Sequence, residues 1–422
     1  MRVRRTLPPS AAPLSLRDLW SGFKGFLAGE TYLKSLEEGI KEYFGVRHVF
    51  LVSSGKAALY LILRSLKSLR PVRSEVLIPA YTCFSVPSAI VRAGLKVTLC
   101  DIDASSLDFD QKLLGEEVTN RTLCVVPNHL FGIPSRMDDI VELCRERNVF
   151  VLEDAAQAMG GRHGDRLLGT IGDVGFFSLG RGKSVTCGSG GIIVTNSEAI
   201  GRAIEREYSR LAYPRTKDDV VEYMKAAMMS LFIRPQLYWI PAALPFLKLG
   251  RTFFDSRFPV TRLSPMQAGL CIDWRRRLET AMSVRKKQAA VFCRRLKGQE
   301  PVGGVSPLPY LRLPFLAESR DRKRKICAAS NRKGLGITQM YPFPINDVPQ
   351  IAHRFAGAAF PAARFVAERL VTIPLHKWVS DKDRDEMVRL LLPAGSGPDR
   401  ETAGSFNVIR AAGGLVGKER AS

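Results

Sequence analysis

Between residues 48 and 196 the sequence alternates short apolar runs with segments of helical periodicity. This alternation is typical of an α/β domain in which helices cover a mixed, mostly parallel sheet. The apolar runs predict strands at 49–52, 75–78, 96–100, 123–126, 149–152 and 191–195. The intervening segments predict helices at 57–69, 85–93, 136–147 and 198–210. We therefore expect an α/β fold.

The whole chain has 422 residues, more than the ~250 to 300 at which a single hydrophobic core stops growing. A basic amphipathic segment at 264–297 predicts a long helix that begins a second domain. Strands near 310–313 and 370–373 and a helix at 380–392 follow it. We expect an N-terminal extension (1–29), a large α/β domain (30–260) with an apolar insertion at about 211–260, a smaller α+β domain (261–394) and a loose tail (395–422).

The segment 226–247 is apolar and long enough to span a bilayer. Arg234 and prolines 235, 241 and 245 argue against one straight spanning helix. Two alternatives stay open: contact with a partner subunit, which we favour because exposed apolar patches most often mark contacts, or a peripheral membrane contact. No apolar core follows the basic N-terminus and the eight cysteines are scattered singly, so we expect a cytoplasmic protein without a metal site.

The formal net charge is +22, which allows nucleic acid, an anionic membrane surface or an anionic small substrate as partner. The basic clusters accompany no nucleic-acid-binding motif. We therefore expect no nucleic-acid partner, and solvated helix faces account for most of the charge.

Several residues together predict a pocket for pyridoxal phosphate. Ser54 and Gly55 lie between a predicted strand and a helix, where backbone N–H groups bind anions. Asp154 ends a predicted strand, at the edge where open α/β sheets place ligands. Ser178 precedes Lys183 by five residues, and a glycine cluster follows at 188–191. Taken singly, a glycine before a helix or an aspartate at its start is more often structural; together they supply the cradle, acid and amine that this cofactor needs.

The same residues belong to an ordered set of motifs that resembles the DegT-type sugar aminotransferases over about residues 30–392. The motifs occupy 44–48, 52–59, 78–82, 129–132, 153–157, 172–178, Lys183, 262–268, 341–344 and 372–376. The resemblance implies a fold-type I aminotransferase that forms a homodimer with active sites at the interface. It also implies transfer of an amino group from an amino acid, glutamate in relatives, to a keto sugar carried on a nucleotide, in polysaccharide or surface-glycan synthesis.

Position by position, the resemblance implies that Lys183 holds the cofactor as a Schiff base and shuttles the proton. Asp154 would pair with the pyridine nitrogen, and Gln157 would bond the ring hydroxyl. The hydroxyl of Ser178 and the amides of Ser54 and Gly55 would bind the phosphate. His129, in a His-x-x-Gly motif, receives no firm role.

Three positions depart from the family pattern. Lys56 replaces the usual threonine of the phosphate turn and still offers phosphate a point charge. Cys83 stands where a ring-stacking aromatic residue is expected, with Tyr81 or Phe84 as stand-ins. Val260 replaces an asparagine that in relatives reaches the neighbouring subunit's phosphate.

Two other functions stay open. A sugar dehydratase of the same family would usually carry histidine at position 183, so the lysine there speaks against it. A non-catalytic or regulatory member associated with a membrane is favoured slightly by the three departures and by the apolar segment.

Overall fold

A computed structural model describes residues 5–27, 29–244, 250, 252–296, 302–303 and 308–392 of the chain. Its largest element is a seven-stranded sheet with strand order β1-β9-β8-β5-β4-β2-β3. The strands of the first half of the chain are β1 (His48–Val52), β2 (Glu75–Pro79), β3 (Lys96–Cys100), β4 (Thr122–Val125), β5 (Phe150–Asp154), β6 (Arg162–His163), β7 (Arg166–Leu167), β8 (Val174–Ser178) and β9 (Gly191–Thr195). Strands β6 and β7 form a separate hairpin.

The large sheet is mixed and mostly parallel. Five adjacent strands run parallel to one another, in the order β8, β5, β4, β2 and β3. Strand β9 runs in the opposite direction and pairs antiparallel with both β8 and β1. Successive side chains of a strand point to opposite faces of the sheet. In β1, Val49 and Leu51 pack on one face, and Phe50 and Val52 pack on the other. Burial of both faces explains the apolar runs in the sequence and confirms the predicted α/β class.

Fourteen α-helices lie within the described residues. They are α1 (Leu16–Gly25), α2 (Thr31–Phe44), α3 (Gly55–Leu69), α4 (Ser85–Arg92), α5 (Gln111–Glu117), α6 (Met137–Glu146), α7 (Glu198–Tyr208), α8 (Thr216–Phe232), α9 (Pro235–Ala242), α10 (Pro265–Gly269), α11 (Trp274–Arg295), α12 (Arg320–Lys333), α13 (Pro361–Arg369) and α14 (Asp381–Leu391). Helices α3, α4 and α7 cover one face of the large sheet. Helices α2, α5, α6 and α10 cover the other.

A second, antiparallel sheet follows in the C-terminal part. Its strands are β10 (Leu313–Leu316), β11 (Thr338–Gln339) and β12 (Leu370–Ile373), in the order β10-β12-β11. Its buried residues share one hydrophobic cluster with a face of the large sheet. The domain boundary at 260/261 stays a prediction, and the expected tail lies outside the described residues.

Three expectations about elements were wrong. Strand β8 was not predicted as a strand, and the second-sheet strand expected at 310–313 begins only at Leu313. The long helix expected at 264–297 is two helices, α10 and α11. The break allows α10 to lie tightly against α1, where a Cβ on Gly269 would be 2.3 Å from the Ser21 carbonyl oxygen.

The apolar segment 226–247 falls in α8 and α9, which are separated at Arg234, and its last three residues lie outside the described part. Pro235 occupies the first position of α9, where proline is well tolerated. Helix α8 packs against α1, and the Tyr223 hydroxyl donates to the Leu19 carbonyl at 3.0 Å. In the part of the chain that the structure describes, the helices are too short or too polar to cross a membrane.

Candidate active site

Ser54, Gly55 and Ser178 meet at the N-terminus of α3. Ser54 is the N-cap residue, and its hydroxyl accepts from the Ala57 backbone N–H at 3.1 Å. A Cβ on Gly55 would lie 3.1 Å from Cβ and 3.3 Å from Oγ of Ser178, so glycine allows the end of β8 to approach the helix closely. Two hydroxyls and the free amides of the first helical turn therefore form a cradle suited to a phosphate group.

Asp154 ends β5 and is 4% exposed. Its Oδ1 accepts from the Ala156 backbone N–H at 3.0 Å, and its Oδ2 accepts from Nδ2 of Asn128 at 3.2 Å. Burial raises the pKa of Asp154, while the Ala156 N–H and the positive charge of Lys183 oppose that rise. The carboxylate is thus held in a fixed orientation within the field of a nearby amine.

Lys183 lies half-buried in the loop between β8 and β9. Burial lowers the pKa of the Lys183 amine, Cys83 and Asp154 counteract the shift, and Arg312 adds to it. Lowering the pKa increases the share of uncharged amine at neutral pH, which is the form that attacks an aldehyde. Lys183 and Asp154 each influence the pKa of the other, so the fold brings the two predicted catalytic residues together.

Gln157 is 5% exposed and lies just beyond Asp154. Its Nε2 donates to the Tyr341 hydroxyl at 3.2 Å. Its Oε1 has no hydrogen-bond partner among the described residues. A buried amide oxygen without a partner is costly, and a ring hydroxyl in the pocket would satisfy it.

The sequence pointed to Tyr81 or Phe84 as replacements for the aromatic residue missing at Cys83. Both are buried core residues: the Tyr81 hydroxyl accepts from the Tyr341 N–H at 2.5 Å, and Phe84 stacks on Phe343 with ring centroids 5.0 Å apart. The thiol of Cys83 instead lies against the Tyr341 hydroxyl. Tyr341, which the sequence placed in a motif without assigning it a role, is therefore an aromatic contact of Cys83, and stacking of Tyr81 or Phe84 on the cofactor ring stays a prediction.

The ammonium of Lys56 is engaged elsewhere in this structure. It lies 3.7 Å from a carboxylate oxygen of Asp255 and 4.7 Å from the centre of the Phe258 ring. Contact between Lys56 and phosphate therefore stays a prediction that requires the side chain to leave these partners. Val260 packs partly buried against the core, and its place near a neighbouring subunit is likewise untested.

His129 and Glu153 form a buried scaffold behind the site. Both side chains are fully buried, and Nε2 of His129 lies 2.9 Å from Oε2 of Glu153. Nδ1 of His129 accepts from the Ser135 N–H at 3.1 Å, and Glu153 also accepts three backbone N–H groups from 169–172. Since both ring nitrogens are occupied, we assign His129 to holding loops behind Asp154.

Comparison with known proteins identifies the class of protein. The sequence profile of the DegT/DnrJ/EryC1/StrS aminotransferase family matches residues 23–392. The chain therefore belongs to this family, whose cofactor is pyridoxal phosphate.

Two relatives differ in how much of the chain they match. The spore coat polysaccharide biosynthesis protein SpsC of Bacillus subtilis is 25% identical over 390 residues, or 89% of this chain and 92% of that protein. GDP-perosamine synthase of Escherichia coli O157:H7 is 32% identical over 203 residues, which are 46% of this chain and only 54% of that enzyme.

Solved structures agree on the fold. PseC of Helicobacter pylori, an aminotransferase of pseudoaminic acid biosynthesis, has a TM-score of 0.75 at 16% identity and covers 92% of this chain and 98% of its own. An E. coli GDP-4-keto-6-deoxy-D-mannose-3-dehydratase with bound hydrated PLP has a TM-score of 0.74 at 20% identity, covering 92% and 100%. Both reactions therefore occur on this fold, so the fold alone does not choose between them.

Proposed function

We propose that this protein transfers an amino group from an amino acid, with glutamate as the expected donor, to a keto sugar linked to a nucleotide, in polysaccharide or surface-glycan synthesis. The observation that carries the proposal is the lysine at position 183 within the field of Asp154. An amine there supports amino transfer, whereas a dehydratase of the family would usually carry histidine. The net charge of +22 suits an acceptor that bears a diphosphate.

The residues fit the cofactor, which when bound supplies an electron sink for the carbanion formed at the amino acid's α-carbon. Lys183 would bind the cofactor and move the α-proton of the substrate through Nζ. The Asp154 carboxylate would keep a proton on the pyridine nitrogen. Ser54, Gly55 and Ser178 would hold the phosphate, and Gln157 would orient the ring through its free amide oxygen.

An isotope experiment separates this reaction from dehydration. The protein is loaded with pyridoxal phosphate and incubated with ¹⁵N-glutamate and a panel of UDP- and GDP-linked keto sugars. We expect ¹⁵N in one sugar product and an equal amount of 2-oxoglutarate, both measured by mass spectrometry. Loss of a sugar hydroxyl without ¹⁵N incorporation would instead assign a dehydratase, and absence of both reactions would favour a non-catalytic role.

We also propose a cytoplasmic homodimer in which a second copy covers an exposed apolar face. This α1–α8 face carries large apolar side chains, several more than half exposed. They are Leu16, Trp20, Phe23, Leu27, Val220, Met224, Met228 and Leu231. An apolar surface of this kind on adjacent helices most often marks a contact.

Charge placed on the α1–α8 face is expected to weaken the contact. We predict that Met224→Glu combined with Met228→Glu shifts the native dimer toward monomer in light scattering at micromolar concentration. The matched control, Lys225→Glu, changes an exposed residue of the same helix and should leave the dimer intact. If the native protein is monomeric but co-sediments with anionic vesicles and the double variant does not, the face contacts membrane instead.

A further inference from the structure

Two buried arginines flank the loop that carries Lys183. Arg285 of α11 is 2% exposed and Arg312, just before β10, is 8% exposed. Nη1 of Arg285 donates to Oγ of Ser184 at 2.8 Å. Nη2 of Arg312 lies 4.0 Å from the position of a Cβ on Gly182. One guanidinium therefore approaches the residue after Lys183, and the other approaches the residue before it.

Neither guanidinium has a carboxylate partner in the described part of the chain. Nη2 of Arg285 and Nε of Arg312 lack any hydrogen-bond partner there. Nη1 of Arg312 has two long contacts, both 3.4 Å, to Thr338 Oγ1 and to the Met340 sulfur. Burying a charge without a counter-ion is strongly unfavourable, so this arrangement is expected where a ligand supplies the charge.

The surroundings do not supply the missing negative charge. Burial lowers the pKa of Arg285 to about 10 and also lowers that of Arg312. A guanidinium group does not give up its proton in proteins, so both side chains carry a positive charge. His376 is 5% exposed, and burial lowers its pKa to about 4, so its ring is neutral. Its Nε2 lies 2.8 Å from the Pro8 carbonyl oxygen and its Nδ1 is unpartnered among the described residues. Asp383, whose negative charge also acts on His376, is already paired with Arg5 at 2.6 Å.

There is also space beside Arg285. A cavity of about 210 Å³ is lined by Ser184, Arg285 and His376, and by Ala11 to Pro13 of the N-terminal segment. Ser10 of the same segment donates to the Gly182 carbonyl at 2.7 Å, so this segment lies against the lysine loop. The guanidinium of Arg285 therefore borders a cavity large enough for a small anionic group; Lys183 and Arg312 are not among the residues that line it.

We propose that Arg285 and Arg312 bind an oxyanion of the substrate beside Lys183. Resting on the proposed function, this oxyanion is either a carboxylate of the amino donor or a phosphate of the sugar nucleotide. Guanidinium groups bind both through paired N–H donors, and a water-poor site strengthens the contact. The negative charge would pair with two cations that the described protein leaves without counter-ions, and it would hold the substrate next to the reacting amine.

Binding to the cofactor-loaded protein tests the proposal, because the phosphate cradle is then filled. Glutarate represents the carboxylates, and UDP and GDP represent the phosphates, each titrated calorimetrically. Loss of a charge-assisted contact predicts about ten- to 150-fold weaker binding of one probe class to Arg285→Gln and to Arg312→Gln. Arg312→Lys keeps the positive charge and should lose less of the affinity for that probe class than Arg312→Gln. The control Arg369→Gln removes an arginine that pairs with Glu368 and lies over the Phe365 ring.

The outcomes separate the two sources of the oxyanion. Weaker binding of glutarate, with a slower amino-acid half-reaction, assigns the carboxylate; weaker binding of UDP or GDP, with a slower sugar half-reaction, assigns the phosphate. Unchanged affinities in both glutamine variants, or no binding of any probe to the native protein, overturn the proposal. If the arginine variants lose binding while the native protein transfers no ¹⁵N, the subsite stands and the proposed function fails.

Discussion

Replacing Lys183 with alanine is expected to abolish both half-reactions and the absorption band of the lysine-linked cofactor. The substitution removes the group that attaches the cofactor and also the base that moves the α-proton. General acid–base catalysis alone accounts for about 10²–10⁴-fold in rate, so the combined loss should reach the detection limit. The measurement is the absorption spectrum of the purified protein with pyridoxal phosphate, before and after addition of glutamate.

Two variants show whether the loss belongs to the amine itself. Lys183→Arg keeps the positive charge but cannot deprotonate, so it should be as inactive as the alanine variant. Lys112→Ala removes an exposed lysine of α5 and should behave like the native protein. An unchanged spectrum in Lys183→Ala would show that the cofactor is held by another residue.

The sequence predicted the sheet well where strands are buried along their whole length, as in β2 and β9. Strand β8 was missed because Gly175 interrupts it, and glycine weakens a strand signal. The structure shows why glycine is required: a Cβ there would lie 2.2 Å from the Gly169 carbonyl oxygen. The need for glycine arises from contact with the loop at Gly169, and the residues next to Gly175 in the sequence do not reveal that contact.

The residues of the candidate site were likewise predicted only in part. Lys183 and Asp154 were found because each follows a recognisable strand or glycine pattern, and strand topology brings such positions to one edge. Arg285 and Arg312 were missed because arginines in basic segments have the same sequence signal whether buried or exposed. The pairing of Lys56 with Asp255 was missed because those residues lie about 200 positions apart and meet only in the fold.

Replacing Asp154 with asparagine should slow the amino-acid half-reaction while leaving the cofactor attached to Lys183. The neutral amide has nearly the same shape, so the structural effect should be small, but it no longer supplies the negative charge that keeps the pyridine nitrogen protonated. Charge-assisted hydrogen bonds contribute about 1.5–3 kcal/mol, which corresponds to a rate lower by about ten- to 150-fold. Stopped-flow absorbance after mixing with glutamate measures this rate directly.

Asp101 provides a matched control for that variant. It lies just after β3, at the carboxyl edge of the same sheet, is 7% exposed and has a pKa raised by burial, as Asp154 does. Its carboxylate accepts backbone N–H groups of Ala362 and Ala363 at 2.9 Å, so it joins the sheet to α13. Asp101→Asn should lower the thermal unfolding midpoint without slowing the half-reaction of the folded enzyme. If both variants slowed the reaction equally, loss of a buried carboxylate in general would explain the effect, and Asp154 would have no special role toward the pyridine nitrogen.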